Sequence, residues 1–244
     1  TAQNEVIITD NGRGIPIDPH PQYPDKSALE IILTTLHAGG KFSQNSYQTA
    51  GGLHGVGISV VNALSEKLVA EIARGGKYYK QEYQRGNTSS TLTSAAIEKK
   101  DNGFTQGTRI TFRPDAEIFG DISYQPADLL SLARSKAYLY KGVKIHWECD
   151  PELLVEDSNT PAKTELHYPE GLGAFLKSLL NEEEIISGSF NSGLIDSASP
   201  LKIEWALCWH QHRGGMVKSY CNTIPTPNGG THEQLFRQAL VRAV

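Results

Sequence analysis

The chain has 244 residues, 39% of them hydrophobic, enough to bury a large core in one large or two ordinary domains. A formal charge of −4 excludes a broadly basic nucleic-acid-binding domain, so any contact with DNA needs a local patch or other parts. Three unclustered cysteines, Cys149, Cys208 and Cys221, suggest neither a disulfide framework nor a zinc site and suit a reducing cytosol; no secretory leader or apolar run long enough to span a membrane is evident.

The first predicted element is a buried strand at Val6-Ile7-Ile8, with Asp10 at its end and Asn11-Gly12 and Gly14 turning the chain sharply. A carboxylate placed there can accept a hydrogen bond from an exocyclic amine, and the glycines leave room for a flat ring. The same residues also suit a plain β-turn capped by Asp10. Ser27 and Glu30 form a capping-box pattern. Leu29, Ile32, Leu33 and Leu36 then recur at helical spacing toward a stop at Gly39-Gly40. Lys41 follows among Ser43, Gln44, Asn45 and Ser46, where a lysine suits either a phosphate-approaching lid or an ordinary surface.

Four glycines fall within residues 51–57, and an apolar run reading as a helix begins near Gly57. Free N–H groups at a helix start favour anions, although many glycine-rich turns bind nothing. The segment has neither the lysine of a P-loop nor the strand and spacing of a Rossmann turn. Segments 67–74, 77–84 and 108–113 have strand-like composition, giving a sheet with helices on one face. Beyond residue 116 the pattern changes. Pro126 suits the first turn of a helix carrying Leu129, Leu130, Leu132, Ala133 and Leu139. Val143, Ile145 and Trp147 alternate as a half-buried strand, and Leu172, Phe175, Leu176, Leu179 and Leu180 mark another helix. Polar stretches 152–168 and 187–200 read as loops. Leu201 to Trp209 alternate as a strand, and Thr231 with Gln234 caps a final helix. His210 and His212 have no third ligand nearby and read as surface histidines, so no metal ligand is assigned.

Asp-Asn-Gly-Arg-Gly-Ile-Pro at 10–16, Leu-His-Ala-Gly-Gly-Lys-Phe at 36–42 and Gly-Gly-Leu-His-Gly-Val-Gly at 51–57 resemble the ATPase region of bacterial type II topoisomerase B subunits. The resemblance continues through Gly107 to Phe112 and Ile224 to His232, nearly the whole chain. Residues 41–43 and 58–60 look closer to topoisomerase IV than to gyrase. It implies an α+β chain: a GHKL-type (Bergerat) α/β sandwich over 1–115, then a transducer domain like ribosomal protein S5 over 116–244.

The resemblance also implies site roles. Asp10 hydrogen-bonds the adenine amine, supported by Thr108 through a shared water. Gly12, Gly14, Ile15 and Pro16 wall the base, Arg13 and Arg74 rim the pocket, and Lys41 approaches phosphate. Gly52, Leu53, His54, Gly55, Val56, Gly57 and Ile58 supply backbone contacts to phosphate, with His54 a neighbour and not a catalyst. The general base and the asparagine that ligates Mg2+ are expected on a helix preceding residue 1, and the terminal-phosphate lysine beyond residue 244. The implied protein binds ATP, self-dimerises in response, pairs with a topoisomerase A subunit, acts on DNA and takes adenine-pocket inhibitors in the cytoplasm. A fragment binding nucleotide without hydrolysis is the alternative.

Overall fold

The computed structural model describes residues 1, 3–38, 55–97, 103–155, 159–180, 185–186, 191–196, 202–211 and 215–243. The chain divides into two compact units, Thr1–Tyr124 and Gln125–Val244.

The first unit opens with strand β1 (Val6–Asp10), followed by the short β2 (Pro19–His20) and β3 (Tyr23–Ser27) and by helix α1 (Ala28–Thr34). Helix α2 (Gly57–Ala63) precedes β4 (Ser65–Arg74), β5 (Lys77–Gln84), β6 (Asn87–Thr88), β7 (Thr93–Ala96), β8 (Gly107–Pro114) and α3 (Ala116–Phe119). The main sheet runs β1-β8-β4-β5-β6, with β7 also on β5, and these pairings are antiparallel.

Alternation in β4 explains the layering. Leu68, Ala70 and Ile72 are fully buried and meet Leu29 and Leu33 of α1, while Ile58 and Val61 of α2 pack against the same cluster. Burying a leucine of this kind stabilises by about 1.5–3 kcal/mol. The Ser27 hydroxyl caps α1 by accepting from the Glu30 N–H at 3.1 Å, as its sequence pattern predicts. The Glu30 carboxylate pairs with Lys26 at 2.8 Å.

Two local expectations change in this unit. Among the described residues β1 is an edge strand paired with β8 alone, and Ile7 and Ile8 are 51% and 60% exposed where the sequence suggests burial. Three apolar β-branched residues make a strand; its place in the sheet decides what covers it. Helix α1 ends at Thr34, before Gly39, because Thr35 is extended (φ −122°, ψ 131°), and Leu36 is exposed. The β-branched Thr34-Thr35 pair holds a helix poorly. Packing also carries the unit past residue 116. Asp115 caps α3 by accepting from the Glu117 N–H, and Asn4 bonds the Ile122 carbonyl and the Tyr124 N–H.

The second unit contains α4 (Pro126–Leu139), β9 (Lys144–Glu148), β10 (Lys163–His167), α5 (Leu172–Ser178), β11 (Asn191–Asp196), β12 (Lys202–Leu207), β13 (Tyr220–Cys221), β14 (Ile224–Pro225) and α6 (Thr231–Ala243). Pro126 sits at the start of α4 as expected. Leu130 and Ala137 of α4 pack with Leu166 against Ile145 and Trp147.

Strands β10 and β11 correct the loop reading of 152–168 and 187–200. They pair antiparallel with β9 and β12 respectively. Their own residues are mostly polar, so the hydrogen-bonding partner, and not hydrophobic alternation, determines them. Helix α6 starts at Thr231 itself, and the Gln234 N–H donates to the Gly230 carbonyl at 3.0 Å, so Thr231 is not the residue before the helix. Asn222 and Thr223 turn the β13–β14 hairpin with φ of 48° and 69°, the pattern of a primed two-residue turn. Lys136 and Tyr140 near the end of α4 hold Thr223 at 2.9 and 3.2 Å.

Candidate nucleotide site

The turn after β1 has a geometry that its sequence only hinted at. Asp10 ends the strand opposite Thr108 of β8. One oxygen of its exposed carboxylate accepts from the Gly12 N–H at 2.8 Å, and among the described residues no hydrogen bond engages the other. The Thr108 hydroxyl, 7% exposed, accepts from the Ile15 N–H at 3.3 Å. One buried hydroxyl therefore links β8 to the wall of the turn. This joins Asp10, Gly12, Gly14, Ile15 and Thr108 into one unit of structure.

Close backbone approach explains two glycines. Gly14 has φ +73°, and a Cβ there would meet Ile72 at 3.0 Å and the Gly107 and Ala73 carbonyls at 3.1 and 3.2 Å. Gly107 has φ +122°, and a Cβ would sit 1.8 Å from the Asp10 carbonyl oxygen. Only glycine fits there without displacing backbone. In the sequence Gly107 is marked only as a glycine immediately before the β8 strand pattern.

Arg74 has a more definite place than a pocket rim. Its guanidinium donates to the Arg13 and Gly14 carbonyls at 3.2 and 2.9 Å, clamping the turn from the end of β4. Arg13 itself is exposed, as is Pro16.

The second glycine-rich segment is described from Gly55 onward. Gly55 is left-handed at φ +63°, Val56 precedes the helix, and α2 begins at Gly57 as the sequence predicts. Val56 provides no side-chain cap, so the first N–H groups of α2 lack a partner from that residue. A Cβ at Gly57 would meet nothing within 4 Å, so open space and not crowding surrounds this position. The Ser59 hydroxyl donates to the Val56 carbonyl at 3.0 Å, and Ile58 faces the core. Lys41, Gly52, Leu53 and His54 lie outside the described residues. Chemically, the arrangement offers a carboxylate and a buried hydroxyl at a strand end, with a left-handed glycine entry into a helix elsewhere in the same unit. Such groups suit a heterocycle carrying an amine and an anionic tail.

Residues 1–118 match the family described as histidine kinase-, DNA gyrase B- and HSP90-like ATPase, and residues 171–244 match DNA gyrase B. The DNA topoisomerase 4 B subunit of Rickettsia bellii is 50% identical over 244 residues, covering 99% of this chain and 36% of that protein. The DNA gyrase B subunit of Chlamydia pneumoniae is 38% identical over 251 residues, covering 98% of this chain and 29% of that protein. The chain thus spans about a third of the length of the curated relatives it matches.

Among solved structures, the 43K ATPase domain of Thermus thermophilus gyrase B, in complex with an aminocoumarin, superposes with a TM-score of 0.76 at 31% identity, over 98% of this chain and 58% of that one. The topoisomerase IV ATP-binding domain of Francisella tularensis, in complex with a small-molecule inhibitor, gives 0.66 at 33% identity, over 95% and 57%. Half of its residues shared with a topoisomerase 4 B subunit along its whole length, and a gyrase-like ATPase fold, show that the chain belongs to the type II topoisomerase B-subunit family, of whose ATPase region it is a part.

Proposed function

We propose that this chain binds ATP through the β1 turn and the α2 entry, as the nucleotide-handling part of a topoisomerase IV B subunit. The single observation that carries the binding mode is the Asp10–Thr108 pairing, which sets a carboxylate and a buried hydroxyl side by side beneath the glycine turn. The free carboxylate oxygen accepts from the adenine amine, and Thr108 supports the site through a shared water. Gly12, Gly14, Ile15 and Pro16 wall the ring. Arg74 holds that wall in shape, with Arg13 at its rim. Backbone N–H groups at Gly52 to Ile58 take the phosphates, Lys41 adds a point charge and His54 is a neighbour. The glycine conformations fit this use, because Gly14 and Gly107 let backbone come closer than any side chain would allow.

Bound ATP with Mg2+ would supply a terminal phosphoryl group open to attack by water. No residue of this chain is assigned as general base or magnesium ligand. The residues present bind and orient; Thr108 and Asp10 fix the base, and the glycine entry neutralises phosphate charge with aligned N–H dipoles. At the level of the whole protein, ATP-driven dimerisation would gate passage of one DNA duplex through another, with an A subunit cleaving the DNA, in the cytoplasm. Among the described residues no helix is long and apolar enough to cross a membrane. Topoisomerase IV is favoured over gyrase by the 50% against 38% identity of the relatives named above. Residues 1–115 are assigned to the ATP-binding domain and 116–244 to the transducer, with 116–124 a connecting stretch that packs in the first compact unit.

Titration calorimetry tests the binding mode. ATP with Mg2+ and an aminocoumarin are each titrated into the protein, then one against the other. Mutual competition is expected; simultaneous, independent binding of both would overturn the shared base pocket.

A further inference from the structure

Asn62 of α2 is fully buried, an unusual place for an amide in a helix. Its side-chain nitrogen donates to the Leu33 carbonyl at 2.9 Å, one of the last carbonyls of α1, which find no donor within the helix itself. Its own backbone carbonyl accepts from the Gly86 N–H at 3.1 Å. The other side-chain atom, Oδ1, is buried without a hydrogen-bond partner among the described residues. An unsatisfied buried acceptor lowers stability. The amide is therefore a poor choice for stability alone, and what it provides is direction.

Apolar packing of Ile58 and Val61 holds α2 against the core without fixing how it slides. A hydrogen bond between one amide and one carbonyl does fix it. The chain of contacts then reaches the base site. Leu29 and Leu33 of α1 share a core cluster with Ile72 of β4, and Ile72 is the register partner of Thr108.

We propose that Asn62 is a positioning residue, whose tie to Leu33 sets the backbone at Gly55–Ile58 in register with the base-reading turn at Asp10 and Thr108. It touches no ligand. The inference rests on the binding mode proposed above and adds to it a residue behind the site.

The test separates phosphate binding from base binding. Asn62→Ala removes the donor and leaves space for water to satisfy the Leu33 carbonyl. Calorimetry with ATP and with a phosphate-free aminocoumarin is run on the wild-type protein and the variant, together with thermal denaturation. Expected is an ATP Kd raised about tenfold, the scale of one charge-assisted hydrogen bond to phosphate lost as the α2 entry shifts, with aminocoumarin affinity unchanged. A parallel loss for both ligands, or no change for ATP, would overturn the positioning role and leave Asn62 structural. Should Asn62→Ala fail to fold, Asn62→Ser is read by the same two outcomes. If the wild-type protein bound neither ligand, the binding mode itself would be wrong and this inference with it.

Discussion

Asp10→Asn isolates the charge of the base-reading residue from its structural role. In the structure one carboxylate oxygen accepts from the Gly12 N–H at 2.8 Å. An asparagine keeps an oxygen of the same geometry, so the turn, the strand pairing with Thr108 and the fold should persist. The second oxygen becomes an NH2 group, which faces the adenine amine donor to donor. Removing a charged acceptor from a partly desolvated contact costs about 1.5–3 kcal/mol, or roughly 10- to 150-fold in Kd. Calorimetry with ATP reads this directly, and urea denaturation run alongside should show an unchanged midpoint. Undiminished ATP affinity would refute Asp10 as the base reader. A lowered midpoint with intact affinity would make its Gly12 contact the whole of its role.

Gly107→Ala forces a Cβ to 1.8 Å from the Asp10 carbonyl at a φ of +122°, so strain and displaced β1 pairing should cost about 3 kcal/mol or more; an unchanged urea midpoint would sink this reading of the close approach. Leu33→Ala empties a fully buried position between α1 and β4, and a loss of about 2–5 kcal/mol is expected in the same assay, with less than 1 kcal/mol (about the worth of one buried methylene) contradicting the core assignment. The hydrogen bond from Lys80, helped by its charge and by the nearby Lys67 and opposed by burial, holds the Glu82 carboxyl below its usual 4.5. Because the folded value lies below the unfolded one, this stability is fully present above pH 4.5 and is lost as pH falls through the folded value. The stability gap between wild type and Glu82→Gln should therefore be constant near neutrality and close in acid; a gap that persisted at pH 3 (roughly one and a half units below an ordinary glutamate) would argue against the pairing.

Local chemistry was enough for the sequence to determine several elements by itself. Ser27 caps α1, Pro126 opens α4, Gly57 begins α2, and β4, β5 and β8 follow their strand composition, because caps, fixed φ angles and residue preferences act within a few residues. The glycine-rich motifs carried the family, and the comparisons agree with it. What the tertiary structure decided depends on partners distant in the chain. The polar strands β10 and β11 exist through hydrogen bonds to β9 and β12, and β1 is exposed because, among the described residues, only β8 adjoins it. Gly107 matters because Asp10, remote in sequence, lies against it across the β1–β8 ladder, and Arg74 clamps carbonyls at Arg13 and Gly14 that no spacing rule places beside it. Asn62 looks like any polar helical residue until α1 is packed on α2 and the Leu33 carbonyl meets its amide. Local sequence specifies conformation, whereas contact between distant segments requires the sheet to be assembled.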